Sequence, residues 1–421
     1  MKDFERKHVH FVGIGGVSMS ALAQLVREKG AVVTGSDARS GGHSAGNVDG
    51  SCDLVIYNGA IADDNPEVLR AKQLGIPLMA REELLAIIEQ NYINRIAVAG
   101  THGKSTTVAM IAAVLCEAGL NPTVHNGAVI IDAGTCLVRG GKDFFVTEAC
   151  EFKRSFLKLN PTLAVITNID ADHLDCYGSL QNIREAFKTF AGKSPAVILN
   201  ADCPNSGHLC GTSFGIFGGD IRPHRVWEWS RGKYGFCIDD VEVRLSVAGL
   251  HNVYNALAAV AVGLHFGVDP ETIAKALSGF RGVERRFEII GQMGRCDVIS
   301  DFAHHPTELA ATITTAKSIY NKFLVVFQPH TFTRTAALFG DFVRVLDGGD
   351  TVLFKTYSAR EKPIKSATAK DLAGALGCKY FADAAALGRF LNRINEKYDA
   401  VILAGAGDLQ SKLVDIVAKV M

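Results

Sequence analysis

The sequence predicts an α/β protein of three domains, and three observations carry that prediction. Short apolar runs end repeatedly in glycine- or acid-rich turns and lead into stretches with helical spacing, the alternation that builds parallel sheets. That alternation restarts near residues 8, 94 and 281, which sets the domains at 1–93, 94–281 and 282–421. A chain of 421 residues also has room for about two to four domains of ordinary size.

Composition narrows the class. With 44 Lys+Arg against 44 Asp+Glu, no basic field draws in nucleic acid or an anionic membrane. A hydrophobic fraction of 48% excludes wholesale disorder, and 42 glycines suit a protein with ligand-binding turns. The 10 cysteines are scattered from Cys52 to Cys378, with no CxxC pair and no zinc-type spacing. The start MKDFERKHVHFVG has no signal-peptide profile. The uncharged run 245–268 contains His251, Asn252, Asn255 and His265, so it reads as a buried helix with a polar head and not as a membrane span. A soluble, cytoplasmic protein is expected.

In the first block, HVHFVGIGG is a strand ending in glycines, VSMSALAQLVREKG a helix stopped by Gly30, and AVVTGSD a second strand closed by Asp37. This is the layout of a Rossmann-like N-terminal domain. Gly13, Gly15 and Gly16 are present, but Ser18 stands where the dinucleotide fingerprint has its third glycine. The broken fingerprint argues less for NAD than for some diphosphate at a helix N-terminus, where free N–H groups favour anions. A tight turn without a ligand is the plain alternative. LVIYNGAI runs a further strand into a turn at Asn58 and Gly59, and His43 sits in a polar loop, as a solvated histidine or a ligand.

The second block opens with RIAVAGTHGKSTT, a strand followed by Gly100, Gly103, Lys104 and Ser105, then an amphipathic helix with Val108, Ile111, Ala112 and Leu115 on one face. This is a phosphate loop in its proper context, a central P-loop ATP-binding domain, although Val98 replaces the usual first glycine. Lys104 would neutralise β/γ oxygens and Ser105 would reach Mg²⁺. Glu148 ends one strand, and Asp170, Asp172 and His173 follow another, where oxygen ligands suit Mg²⁺. Each acidic cluster alone reads as a solvated loop; with Lys104 they read as a site. Residues 196–245 look like short strands with polar turns. Asn252, at a helix start, can pair with an adenine edge or serve only as an N-cap.

The third block repeats strand–loop–helix units, a C-terminal Rossmann-like parallel-sheet domain. Asp301, His304, His305, Arg334 and Arg360 would share one end of its sheet, with Pro306 opening a helix. A histidine pair beside two arginines favours anion handling over a purely structural role.

Six segments in order, HFVGIGGVSMSALA, VAGTHGKSTT, VITNIDADHLD, GLHNVYNALAA, DFAHHPTE and VVFQPHTFTRT, resemble the Mur ligases, and the resemblance spans nearly the whole chain. It implies ATP-dependent ligation of L-alanine to the carboxylate of UDP-N-acetylmuramate through an acyl phosphate. The UDP sugar would be held by Gly13, Gly15, Gly16, Ser18, Asp37, His43, Asn58 and Ala60. ATP would lie on Gly100, Thr101, His102, Gly103, Lys104, Ser105 and Thr106, with Asn252, Arg285 and Asp301 toward adenine and ribose. Ser105, Glu148 and His173 would hold Mg²⁺, and His304 and Arg334 would reach across to the sugar substrate and the transferred phosphate. Lys104, His173, His304 and Arg334 are then the catalytic set, with either histidine as the base for the amine. Partners would be UDP-N-acetylmuramate, L-alanine and ATP, with no nucleic acid and no membrane span, in a monomer or weak homodimer.

Departures from the family pattern are specific. Phe187 stands where many relatives carry a modified lysine, which the L-alanine branch generally lacks too. Thr331 stands where some relatives have a second arginine. The stretch EACEFKRSF, less acidic than in many relatives, puts a metal role for Glu151 in doubt. A recycling ligase that adds a stem peptide is the nearest alternative, with folate polyglutamylation further off. An NAD-dependent dehydrogenase would use the first glycines and Asp37 but leaves the 100–105 loop idle. Intact Lys104, Glu148 and His173 argue against a non-catalytic UDP-sugar-binding paralogue.

Overall fold

Strand β1 (His8–Val12) buries Val9, Phe11 and Val12 completely, because it lies inside a parallel sheet covered on both faces. The computed structural model describes residues 4–38, 40–359 and 361–418. With β2 (Val32–Ser36), β3 (Leu54–Tyr57) and β4 (Leu78–Ala80), β1 forms a four-stranded parallel sheet in the order β2-β1-β3-β4. Helix α1 (Val17–Glu28) leaves β1 through the glycine turn and buries Met19, Leu22, Leu25 and Val26. Helix α2 (Pro66–Leu74) is capped by the Asn65 side chain, starts on Pro66 and ends at Gly75 with φ 68°. Helix α3 (Arg81–Glu89) follows β4 directly.

The second sheet is built from β5 (Asn94–Ala99), β6 (Thr123–Ile130), β7 (Thr135–Val138), β8 (Phe144–Ala149), β9 (Leu163–Ile166), β10 (Ala196–Asn200) and β11 (Thr212–Phe214). Its order is β11-β10-β9-β5-β8-β6-β7, parallel except where β7 returns on β6. Central β5 pairs Ala99 with Ala149 and Ile166, so the loops leaving β5, β8 and β9 emerge at one end of the sheet. That is where an open α/β sheet binds its ligand. Helix α4 (Lys104–Glu117) differs from the amphipathic expectation: every residue from 105 to 112 is buried, so it is a core helix and not a surface one. Past the short helix α5 (Leu174–Tyr177), α6 (Leu180–Ala191) is capped by Ser179 and buries Ile183, Phe187 and Phe190. Phe187 packs on Phe156 with ring centroids 5.1 Å apart, a core residue. The two sheets share one apolar core, in which Leu84, Leu85 and Ile88 of α3 join Phe156, Phe187 and Phe190.

The chain forms two compact units. The first comprises the chain up to Pro223 together with Tyr254–Leu277, and the second His224–Val253 with the chain from Ser278 onward. The second unit begins with an antiparallel meander, β12 (Arg225–Ser230), β13 (Lys233–Ile238) and β14 (Val241–Ala248), the short strands and polar turns expected there. Helix α7 (His251–His265) follows, then α8 (Pro270–Gly279). Residues 256–262 of α7 are at most 1% exposed, and no described helix is long and apolar enough to cross a membrane.

The sheet of the second unit contains β15 (Glu288–Met293), β16 (Cys296–Asp301), β17 (Phe323–Phe327), β18 (Thr351–Phe354), β19 (Lys379–Phe381) and β20 (Ala400–Ala404). Its order is β15-β16-β20-β17-β18-β19, with only β15 antiparallel. Asp301 and Phe327 both register with Ala404, so the loops that follow β16, β17 and β20 share one end. Helix α9 (Pro306–Ile319) leaves the first of these loops.

Candidate active site

The loop after β5 has little room for side chains. A Cβ on Gly100 would collide with the Thr167 hydroxyl, and one on Gly103 (φ 83°) would lie 2.5 Å from Asn255 Oδ1. Lys104 Nζ donates to the carbonyls of Gly100 and Thr101 and, at 2.8 Å, to Glu151 Oε2. Burial works against the charge on Lys104, but the Glu151 carboxylate outweighs it and pushes the pKa above the usual lysine value. The loop is also tied to the exit of β9. His102 N–H donates to Asn168 Oδ1 (2.9 Å), Thr167 Oγ1 donates to the His102 carbonyl (2.7 Å), and Asp170 N–H donates to Thr101 Oγ1 (2.8 Å). His102 Nε2 lies 3.3 Å from Asp170 Oδ2. Ser105 and Thr106 are buried in the first turn of α4.

The acids expected around this loop divide in two. Glu148, at the end of β8, accepts the Gly127 N–H at 2.7 Å through Oε1, and among the described residues Oε2 takes no hydrogen bond. Glu151, left in doubt by the sequence, is 4% exposed and is the partner of Lys104. His173 (φ 53°) points Nε2 to within 3.8 Å of Glu151 Oε1 and 3.6 Å of Asp172 Oδ2, while its ring packs on Phe152 at 4.8 Å. Lys104, Glu151 and His173 are therefore one charged cluster at the mouth of the second sheet. Asn255, three residues after Asn252, seats its Oδ1 3.2 Å from Thr107 Oγ1, which donates to it.

In the first sheet, Gly13 takes φ 84° and both Gly13 and Ile14 donate N–H groups to the Ser36 carbonyl, at 2.8 and 2.9 Å. Asp37 Oδ2 accepts the Gly15 N–H at 3.2 Å, and a Cβ on Gly15 would lie 2.8 Å from that carboxylate. Helix α1 starts on Gly16 with no side-chain cap and no acid in its first turn. Ser18, in place of the third glycine, has a task glycine cannot perform: its hydroxyl bonds His125 Nε2 at 2.9 Å and accepts from Arg81 at 3.1 Å. Burial, helped by Arg81, lowers His125 to about 4, so the ring is neutral. Asn58 Oδ1 closes its turn on the Ala60 N–H at 2.9 Å. His43 is no solvated loop residue; its Nδ1 sits 3.0 Å from Ser36 Oγ and 3.5 Å from Glu67.

The second unit collects the remaining residues. Asp301 accepts N–H groups from Phe287 and Ala303, and burial raises its carboxyl to about 6 against the pull of Arg286. Arg285 donates to the carbonyls of Gly405 and Gly407 at 2.7 and 3.3 Å and lies over the Phe302 ring. The histidine pair separates by role: His305 Nδ1 caps α9 on the Thr307 N–H, whereas His304 Nδ1 lies 2.9 Å from the Phe302 carbonyl. His330 connects the two predicted catalytic residues here, with its ring 5.7 Å from His304 and its Nδ1 3.4 Å from Arg334 Nη1. Thr331, at φ 67°, caps the short helix that carries Arg334. Asn252 is 7% exposed and donates to the Ala248 carbonyl at 2.7 Å. Arg360 lies outside the described residues.

Three family descriptions match the chain in succession. Residues 8–92 match the Mur ligase family catalytic domain, 98–263 the Mur ligase middle domain, and 285–407 the Mur ligase glutamate ligase domain. The chain belongs to the Mur ligase family. It is 39% identical to the UDP-N-acetylmuramate–L-alanine ligase of Lachnospira eligens and 38% identical to that of Clostridium kluyveri, in each case over 96% of both chains. Among solved structures, it is similar to the UDP-N-acetylmuramate–alanine ligase of Thermotoga maritima, with a TM-score of 0.84, 31% identity and 98% of both chains covered. A murein peptide ligase of Psychrobacter arcticus shares the fold at a TM-score of 0.75 and 22% identity.

Sequence reasoning missed four members of these clusters. Glu151 was visible as an acid three residues after Glu148, and Asn255 as a second asparagine on the same helical face as Asn252. His330 stands four residues before Arg334, whereas His125 gave no local signal, because its partner Ser18 lies on another element.

Proposed function

We propose that the protein joins L-alanine to the carboxylate of UDP-N-acetylmuramate, using ATP, in the synthesis of peptidoglycan precursors. The observation that carries this reading is the half-buried Lys104 on the 100–105 loop, in a chain so similar over its length to L-alanine ligases. In the first step a muramoyl carboxylate oxygen attacks the γ-phosphorus, ADP leaves, and an acyl phosphate forms. The amine lone pair then attacks the acyl carbon, and the tetrahedral intermediate expels phosphate. Lys104 and the N–H groups of the loop offset the repulsion between carboxylate and triphosphate.

The donor set fits Mg²⁺: the Ser105 hydroxyl, the Glu148 carboxylate with one oxygen uncommitted, and His173 beside two further carboxylates. Bound there, the ion would supply charge neutralisation at the transferred phosphate. Arg334 would bind the transferred phosphate. His304, whose Nδ1 lies 2.9 Å from the Phe302 carbonyl and 3.3 Å from Glu308 Oε2, would be the acceptor of the amine proton. The Gly13, Gly15 and Gly16 turn, with Ser18, Asp37, His43, Asn58 and Ala60, would take the UDP part. Asn252 and Asp301 would serve adenine and ribose, whereas the Arg285 contacts support a role in holding the 405–407 loop beside that site. The functional division 1–93, 94–281 and 282–421 is part of the same reading, and the three family segments support it. So are a cytoplasmic location, where ATP and nucleotide sugars are made, and a monomeric or weakly dimeric state.

The test is phosphate release from ATP–Mg²⁺ with UDP-N-acetylmuramate, across single amino acids and a stem tripeptide. Turnover with L-alanine that disappears without the sugar is expected. Turnover with the tripeptide alone would assign the protein to peptide recycling instead.

A further inference from the structure

The first sheet contains a charged group that the reaction does not use. Glu67 lies in the first turn of α2 and is 0% exposed. Leaving an unpaired carboxylate in such a place costs several kcal/mol, so its partners define what it is for. Ser36 Oγ donates to Oε2 at 2.6 Å, while Asn47 Nδ2 at 2.6 Å and the Ser44 N–H at 3.2 Å donate to Oε1. Two histidines face Oε2 at 3.5 Å: His10 from β1, through Nε2, and His43 from the loop, through Nδ1. Beyond them, His10 Nδ1 and His8 Nε2 both lie 2.9 Å from Thr34 Oγ1. Burial alone would raise the Glu67 pKa; the donors from Ser36, Asn47 and Ser44 outweigh it and hold the group below the usual carboxylate range.

These partners have one thing in common. Ser36 holds Glu67 with its side chain and the Gly13 and Ile14 N–H groups with its carbonyl, and Asp37, the next residue, holds Gly15. Ser44 and Asn47 are exposed residues of the 43–47 loop beside it. One buried carboxylate therefore secures both the turn after β1 and the neighbouring loop to α2. We propose that Glu67 is the positioning residue of the nucleotide-sugar site, holding the glycine turn and the 43–47 loop in the geometry that receives a nucleoside diphosphate. This rests on the reading that the first sheet binds the UDP part of the substrate.

A residue that only shapes one substrate's site changes KM for that substrate and leaves kcat alone. In the full-length enzyme, Glu67→Gln places an amide N–H₂ against neighbours that are donors. It is expected to raise KM for UDP-N-acetylmuramate about tenfold or more while KM for ATP and kcat stay within about threefold. Asn47→Ala removes one donor, from the exposed loop, leaves the Ser36 and Ser44 donors to Glu67 in place, and is expected to raise the same KM about threefold. A lowered melting temperature with KM for the sugar unchanged in both variants would overturn the proposal and leave Glu67 a purely structural group. If the unsubstituted enzyme failed to turn over UDP-N-acetylmuramate at all, the functional reading would fall instead, so the two failures are distinct.

Discussion

The turn after β1 and the loop after β5 both carry a parallel strand into a helix through glycines, and neither helix has a side-chain N-cap. They are secured in different ways. Gly15, Gly16 and Val17 of the first are exposed, held from below by Ser36 and Asp37. The second is enclosed by Thr167, Asn168, Asp170 and Asn255, and its cation is already paired with Glu151. In the first turn the N–H groups of Gly13, Ile14 and Gly15 are already held by Ser36 and Asp37, so under the proposed reading the nucleotide sugar would meet the uncapped start of α1. In the second, under the proposed reading, phosphate would have to draw Lys104 away from the Glu151 carboxylate, so that binding and charge rearrangement would be one event.

The largest effect expected from breaking this contrast is at Lys104. Lys104→Ala should lower kcat by at least about 10³-fold with an unchanged fold, read by phosphate release and circular dichroism. Next is Glu151→Gln, which leaves the half-buried Lys104 without its anion. Stability should fall by about 2–4 kcal/mol, and ATP–Mg²⁺ should raise the melting temperature more than it does in the unsubstituted protein, because phosphate replaces the missing charge. An unchanged ATP shift would mean that Glu151 and phosphate do not compete for the lysine. At the open turn, Gly15→Ala pushes a Cβ to 2.8 Å from the Asp37 carboxylate. KM for the nucleotide sugar should rise about tenfold with KM for ATP unaffected, whereas Lys104→Ala acts on kcat.

The last effect, on stability and not on turnover, concerns the joint between the two sheets. Glu89, the last residue of α3, is fully buried and accepts the Asn160 N–H. Burial raises its carboxyl from 4.5 to about 7, against the pull of Asn160, Arg95 and Lys193. The folded protein therefore holds a proton that the unfolded chain releases, and this site's contribution to stability falls as pH rises between those two values. Glu89→Gln should be more stable than the parent at pH 8 than at pH 5, by up to about 3 kcal/mol in differential unfolding free energy. Equal differences at both pH values would show that Glu89 titrates normally.

The parts of this molecule legible in the sequence are those written in one local segment. Gly100, Gly103, Lys104 and Ser105 announce a phosphate loop because strand, turn and helix are contiguous, and Pro306 announces α9 for the same reason. What escaped depends on partners far along the chain: Glu151 is 47 residues from Lys104, and His125 is 107 from Ser18. Periodicity misread α4, whose apolar face is clear but whose opposite face is also covered by protein. Nor does any pattern in residues 224–253 tell that these strands belong with the C-terminal sheet's unit. The histidine pair was ambiguous because a helix cap and a reactive imidazole use the same residue type; only the Thr307 contact separates them.

The central claim is acyl transfer through phosphate, and an isotope follows it directly. UDP-N-acetylmuramate labelled with ¹⁸O in the muramoyl carboxylate would be turned over with ATP–Mg²⁺ and L-alanine, and the released phosphate weighed by mass spectrometry. The account predicts one labelled oxygen in each phosphate, carried there when the carboxylate attacks the γ-phosphorus and lost from the sugar when the amine displaces it. Alanylated product accompanied by unlabelled phosphate would contradict it.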